Sequence, residues 1–190
     1  MKTYVALLRG LNVGGNHKVS MSDLKVLFSL TYENVETHGN TGVVFFDSKN
    51  KVDRVKLETD LEKTFGFPIA VYILSAEEVF ALEPNLPIGW NEDKEWRHNI
   101  LFLLNDVRAE QICPDLSLYD TELDHISIID NTIFWSTNFT TRQLYYKSAY
   151  RKVLAHPNYP DTTIRNGNTF AKMIQILKKR EGESRLKGDK

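Results

Sequence analysis

Within its first 75 residues the chain alternates between two spacings of apolar residues, and few architectures satisfy both. Tyr4 to Arg9 is a short β-favouring run that stops at Gly10, which predicts a strand. Ser20-Met21-Ser22-Asp23 then predicts a capped helix start: the Ser20 hydroxyl accepts an N–H of the first turn and Asp23 answers back. Met21, Leu24, Leu27 and Phe28 follow at helical spacing. Val35–Thr37 and Val43–Phe46 have the character of two strands. Leu57, Leu61, Thr64 and Phe65 predict a second helix, closed by Gly66 in a left-handed conformation. Ile69, Val71 and Ile73 alternate as a half-buried strand does. The order is βαββαβ, the split βαβ plan of a ferredoxin-like sandwich, with both helices on one face of an antiparallel sheet.

A similar order recurs without sequence repetition. Asn99–Leu104 predicts a strand and 108–112 a short helix ended by Pro114. Ile126–Ile129 and Ile133–Trp135 flank a tight hairpin at Asp130-Asn131-Thr132. Ala149–Leu154 is helical in character, Thr162–Ile164 a short strand, and a last helix is expected from Thr169, with Phe170, Met173, Ile174 and Leu177 on one stripe. Residues 181–190 are polar and expected to fray. Pro84, Pro87 and Gly89 interrupt regular structure between the halves. The expectation is therefore an α+β fold of two subdomains: a ferredoxin-like unit over 1–83, a linker over 84–97, and a similar α+β sandwich over 98–190 that ends in a helix.

Composition narrows the class. Apolar residues form 42% of the 190 and charged residues 26%, the balance of a globular chain. The longest apolar runs, Tyr4–Leu8 and Ile100–Leu104, are five residues long, far short of the ~20 of a membrane helix. No signal-peptide core is evident and Cys113 is the single cysteine, so a cytoplasmic location without disulfides is expected. The net charge of −1 hides an asymmetry: residues 1–30 carry +3, 31–146 carry −11 and 147–190 carry +7. Basic ends around an acidic middle direct attention to anionic ligands.

Two stretches could hold such a ligand. Arg9-Gly10-Leu11-Asn12-Val13-Gly14-Gly15-Asn16-His17-Lys18 joins the first strand to the first helix. Glycines such as Gly14 and Gly15 let successive backbone N–H groups face one point, and Arg9 and Lys18 add charge. Asn16 and His17 follow Gly15 where a Walker loop needs Lys-Ser/Thr, which argues against ATPase chemistry. The second stretch is Arg165-Asn166-Gly167-Asn168-Thr169, before the last helix, where unsatisfied N–H groups attract anions; an Asn in the same place equally serves as a plain cap. Lys147 precedes it. The candidate ligand-binding residues are thus Arg9, Asn12, Gly14, Gly15, Lys18, Lys147, Arg165, Asn166, Asn168 and Thr169, with the two stretches expected to lie close together. The histidines at 17, 38, 98, 125 and 156 have no ligand spacing, so no metal and no cofactor are expected. No carboxylate pair stands out, and catalytic residues stay unassigned. Cys113, beside Pro114, fits a packed thiol better than a nucleophile.

Tyr4-Val-Ala-Leu-Leu-Arg-Gly-Leu-Asn-Val-Gly-Gly15, followed by Val19-Ser-Met21, resembles the opening signature of the bacterial domain-of-unknown-function family 1697. Thr163-Ile-Arg-Asn-Gly-Asn-Thr169 is similar to its closing signature. The resemblance implies a two-part α+β protein with a ferredoxin-like first half and carries over no catalytic residue. The chain departs from the family pattern at Thr41-Gly42-Val43, where Ser-Gly-Asn is usual, and at Gly167, where an aromatic residue is common.

Three functions compete on this basis. The first is binding of a small phosphate- or carboxylate-bearing ligand between the two stretches. The second is a protein-interaction or regulatory module using an uncovered apolar sheet face, the chain being a monomer or weak dimer. The third, nucleic-acid binding, is disfavoured: Thr41 and Val43 occupy the positions where an RNA-recognition strand carries stacking aromatics.

Overall fold

A computed structural model describes residues 1–12, 18–87 and 89–188, with side chains as far as 183. The chain is α+β and divides into two units, Met1–Ala81 and Leu82–Lys190. In the first unit, β1 (Lys2–Leu8), α1 (Met21–Ser29), β2 (Glu33–His38), β3 (Val43–Ser48), α2 (Arg54–Phe65) and β4 (Val71–Ser75) follow in the expected order, and α3 (Ala76–Leu82) leads out. The sheet is antiparallel with strand order β2-β3-β1-β4, which a βαββαβ chain reaches when α1 carries it from β1 to β2 and α2 from β3 to β4, each past one intervening strand.

Local chemistry sets the helix ends. Ser20 Oγ accepts the Asp23 N–H at 3.0 Å, opening α1. Asp53 does the same for Lys56 at 3.0 Å, opening α2. Gly66 closes α2 at φ 80°, a region where a side chain would be strained. At α3, Ser75 and Glu78 exchange side-chain-to-backbone bonds of 3.2 and 2.7 Å, a complete capping box. Leu24 and Phe28 of α1 and Leu57 and Leu61 of α2 bury against Ala6, Leu8, Val44, Phe46 and Val71 on one sheet face. Period two puts Val5, Leu7, Val43 and Phe45 on the other face, and these are fully buried as well. Exposed apolar side chains of this unit include Val26 on α1, Leu30 at its C-cap and Val55 on α2.

The second unit repeats the topology. Its elements are β5 (Trp96–Leu103), α4 (Ala109–Ile112), β6 (Asp124–Ile129), β7 (Thr132–Asn138), α5 (Arg142–Lys147), α6 (Tyr150–Leu154), β8 (Thr162–Asn166) and α7 (Gly167–Gly188). Strand order is β6-β7-β5-β8, again antiparallel. The hairpin is as tight as expected, with Asp130 at φ 46° and Asn131 at φ 68° joining β6 to β7. Three features differ from expectation. Helix α5, capped by Thr141, is too short to show a periodic stripe. Helix α7 starts at Gly167 rather than Thr169 and continues through 188, where fraying was expected. Within 84–97, Trp96 and Arg97 already belong to β5.

Leu101, Leu103, Ile133 and Trp135 form a core with Ala109, Ile112, Cys113, Tyr150 and Val153. Burial pushes the Cys113 thiol up to about 11, so it stays protonated at neutral pH. Inside this unit lies the fully buried Asp124. Its carboxyl oxygens accept from Trp135 Nε1 at 2.9 Å, Thr137 Oγ1 at 2.8 Å, Ser148 Oγ at 2.6 Å and the Ala149 N–H at 2.7 Å. Removing this acceptor strands four donors at once. Asp124→Ala is expected to cost about 3 kcal/mol or more in urea denaturation, and Asp124→Asn, which keeps one acceptor oxygen, less.

Candidate functional site

The strand register of the second unit creates a cleft. Strand β5 pairs with β7 from Trp96↔Asn138 onward, but with β8 only from Asn99↔Asn166. Beyond that pair the chain leaves the sheet to begin α7, and Trp96–His98 border open space. The space is a cleft of about 610 Å³. Trp96–Asn99 form one side, Asn166–Asn168 another, and Asn91, Asp93 and Lys94 a third; Thr137, Tyr145 and Tyr150 complete it. The lining is mainly polar, and its charged side chains are Asp93, Lys94 and Arg97.

Arg97 is solvent-exposed, with its guanidinium carbon 3.3 Å from the centroid of Phe139, which meets Tyr145 edge-on at 5.1 Å. Stacking holds the planar group by its face and leaves its N–H edge for a ligand. Gly167, the first residue of α7, lies directly against Asn91: a β-carbon at 167 would come within 2.9 Å of Asn91 Cγ. An aromatic residue there would displace the asparagine.

His98 is 8% exposed. Its Nδ1 is 2.7 Å from Ser136 Oγ, and Trp90 covers its ring with centroids 4.6 Å apart. Its Nε2 is buried and has no hydrogen-bond partner among the described residues. Burial draws the imidazole below its ordinary value of 6.5, opposed by nearby Asp93.

The sequence candidates separate sharply. Asn166 and Asn168 line the cleft, and Asn166 also caps α7 through a 2.8 Å bond from the Thr169 N–H. Thr169 is buried at 9% exposure and Lys147 is exposed at the end of α5; neither lines the cleft. Arg165 is 8% exposed and donates to Thr163 Oγ1 at 3.1 Å and the Ile164 carbonyl at 2.7 Å. Burial draws it down to about 10, so it remains charged although buried, and it does not line the cleft. Arg9, Asn12 and Lys18 belong to the first unit. The Asn12 side-chain amide donates to the Val19 carbonyl at 3.1 Å and accepts the Val19 N–H at 3.0 Å. Gly14 and Gly15, with Val13, Asn16 and His17, lie outside the described residues. Sequence reasoning missed Arg97 because it fell in the expected linker, and passed over His98 because it looked for metal spacing. The density of Trp90, Trp96, Arg97 and His98 was the available signal.

Among known proteins, the family model described as "Protein of unknown function (DUF1697)" matches residues 1–134. The chain belongs to this family. The conserved bacterial protein SP0830 from Streptococcus pneumoniae has a similar solved structure, with 33% identity and a TM-score of 0.75 over 93% of this chain and 98% of that one. No functionally curated protein matches the chain. The family match takes in the Asn91–Asn99 side of the cleft; Asn166–Asn168 lie beyond it. No helix among the described residues is long and apolar enough to cross a membrane. Phe45 and Phe46 of β3 are fully buried, so neither offers a face for base stacking.

The His98 environment has a pH consequence. With its value lowered on folding, the ring binds a proton more readily in the unfolded chain. Its contribution to stability is full above about 6.5 and is lost as pH falls through the folded-state value. One proton limits the slope to about 1.4 kcal/mol per pH unit. Denaturant titrations below pH 6.5 are expected to be flatter for His98→Gln than for the parent chain. Equal slopes would show that Asp93 cancels the burial effect.

Proposed function

We propose that the protein binds a small anionic ligand bearing a carboxylate or phosphate, and does so in the cleft of the second unit. One observation carries this reading: an exposed, ring-stacked guanidinium and the start of a 22-residue helix face the same polar hollow. Lys94 and Arg97 outweigh Asp93, so the cleft's side chains carry a net charge of +1 with His98 neutral. Asn91, Asn99 and Asn168 supply neutral donors and acceptors that could set ligand shape. The reading uses residues of the second unit alone. Ferredoxin-like is our description of both βαββαβ units, and that plan by itself implies no activity.

The test is a thermal-shift screen of phosphates, nucleotides, sugar phosphates and carboxylates. A ligand at 100 times its dissociation constant adds about 2.7 kcal/mol. Arg97→Ala removes one charge-assisted contact and is expected to weaken that ligand about 10- to 100-fold, while loss of its exposed stack on Phe139 costs the ligand-free protein only about 0.5–1 kcal/mol. A ligand whose shift survives both Arg97→Ala and Asn168→Ala would place binding elsewhere.

A further inference from the structure

From Asn131 to Pro160 the chain runs thirty residues without an aspartate or glutamate, although 25 of its 190 residues are acidic. The same stretch holds Arg142, Lys147, Arg151 and Lys152, all solvent-exposed on α5 and α6. None of these four makes an ion pair among the described residues. Elsewhere Arg54, Lys56, Arg108 and Lys178 each meet a carboxylate at 2.7–3.8 Å. The α5–α6 surface is thus a patch of uncompensated positive charge on a chain whose net charge is −1.

Tyr146 holds two of these cations in place. It is 48% exposed, near the end of α5. Its hydroxyl accepts from Arg142 Nε at 3.2 Å and Nη2 at 3.0 Å, and its backbone carbonyl accepts from Arg151 Nη1 at 3.4 Å. The two guanidinium carbons lie 5.5 and 5.3 Å from the centroid of this one ring. A guanidinium carries five N–H donors, so most of those on Arg142 and Arg151 stay available to a ligand. Holding both side chains beforehand lowers the entropy lost when they bind.

We propose that the α5–α6 surface binds single-stranded nucleic acid, with Arg142 and Arg151 on its phosphates and a base stacked on the exposed part of the Tyr146 ring. The charge calls for a polyanion, and an exposed ring set between guanidiniums suits a chain in which flat bases alternate with phosphates. An acidic peptide would answer the charge and leave the ring unused. The buried Phe45 and Phe46 close the route by which an RNA-recognition strand stacks bases on a sheet; this surface belongs to the other unit and needs no sheet face. The proposal does not depend on a ligand in the cleft.

The test is fluorescence anisotropy of the full chain with labelled oligo-dT and oligo-rU of about 12 nucleotides, set against a duplex and a polyglutamate peptide of similar length. Binding of either strand is expected, weakening as salt rises with a log–log slope of about −0.7 per phosphate contact. Arg142→Gln and Arg151→Gln should each make that slope shallower by about 0.7. Tyr146→Ala should weaken binding about tenfold, and Tyr146→Phe, which keeps the ring, should recover most of the loss. Both arginine side chains are exposed, so their variants carry the test even where Tyr146→Ala disturbs α5. Lys25→Gln, which removes an exposed charge from α1 of the other unit, should change affinity less than about twofold. Absence of strand binding at about 50 mM salt overturns the proposal. Polyglutamate or duplex bound as tightly as the strands, with no effect of Tyr146→Ala, overturns it as well. Strand binding lost on Arg97→Ala but kept on Arg142→Gln and Arg151→Gln would belong to the cleft, and would refute the α5–α6 surface while supporting the cleft.

Discussion

Two carboxyl oxygens hold the second unit in its arrangement. Asp124 stands at the start of β6, yet its four donors come from β7 and from the turn between α5 and α6. Taking a carboxyl group out of water is unfavourable unless its lone pairs are met, and here each oxygen has at least one donor. The same bonds position the cleft. Thr137 is a direct partner of Asp124, and Ser148 Oγ in turn accepts the Tyr150 N–H at 3.0 Å. Thr137 and Tyr150 both line the cleft. One side of the candidate site therefore hangs from an interaction that never touches a ligand.

The two units share a strand order and differ in what covers their sheets. In the first unit α1 and α2, of nine and twelve residues, pack against one sheet face. At the corresponding places the second unit has the four-residue α4 and the broken pair α5–α6. The cleft lies elsewhere, at the open end of β5, where the Asn91–Lys94 turn forms one of its sides.

Much of this was legible in the sequence, for identifiable reasons. Ser20, Asp53 and Gly66 act locally, so their motifs foretold the ends of α1 and α2. The Asp130-Asn131 turn is local in the same sense. Phe170, Met173, Ile174 and Leu177 showed their face because α7 is long enough for periodicity to be visible. Asp124 was illegible: its partners lie 11 to 25 residues away, and nothing at position 124 distinguishes it from a surface aspartate. The burial of Arg165 was illegible for a related reason. Its place on an inner-facing position of β8 depends on register against Ile100, which local sequence does not reveal. The cleft itself arises where two strands of unequal length end, a difference that no single segment records.

Cys113 gives the second unit a built-in clock. Sheltered in the core and protonated, this thiol cannot meet an alkylating reagent while its surroundings stay closed. The speed of thiol exchange then measures how often the Leu82–Lys190 half opens, independently of excursions confined to Met1–Ala81. A molecule with one such residue carries a reporter for half of itself, placed there by packing alone.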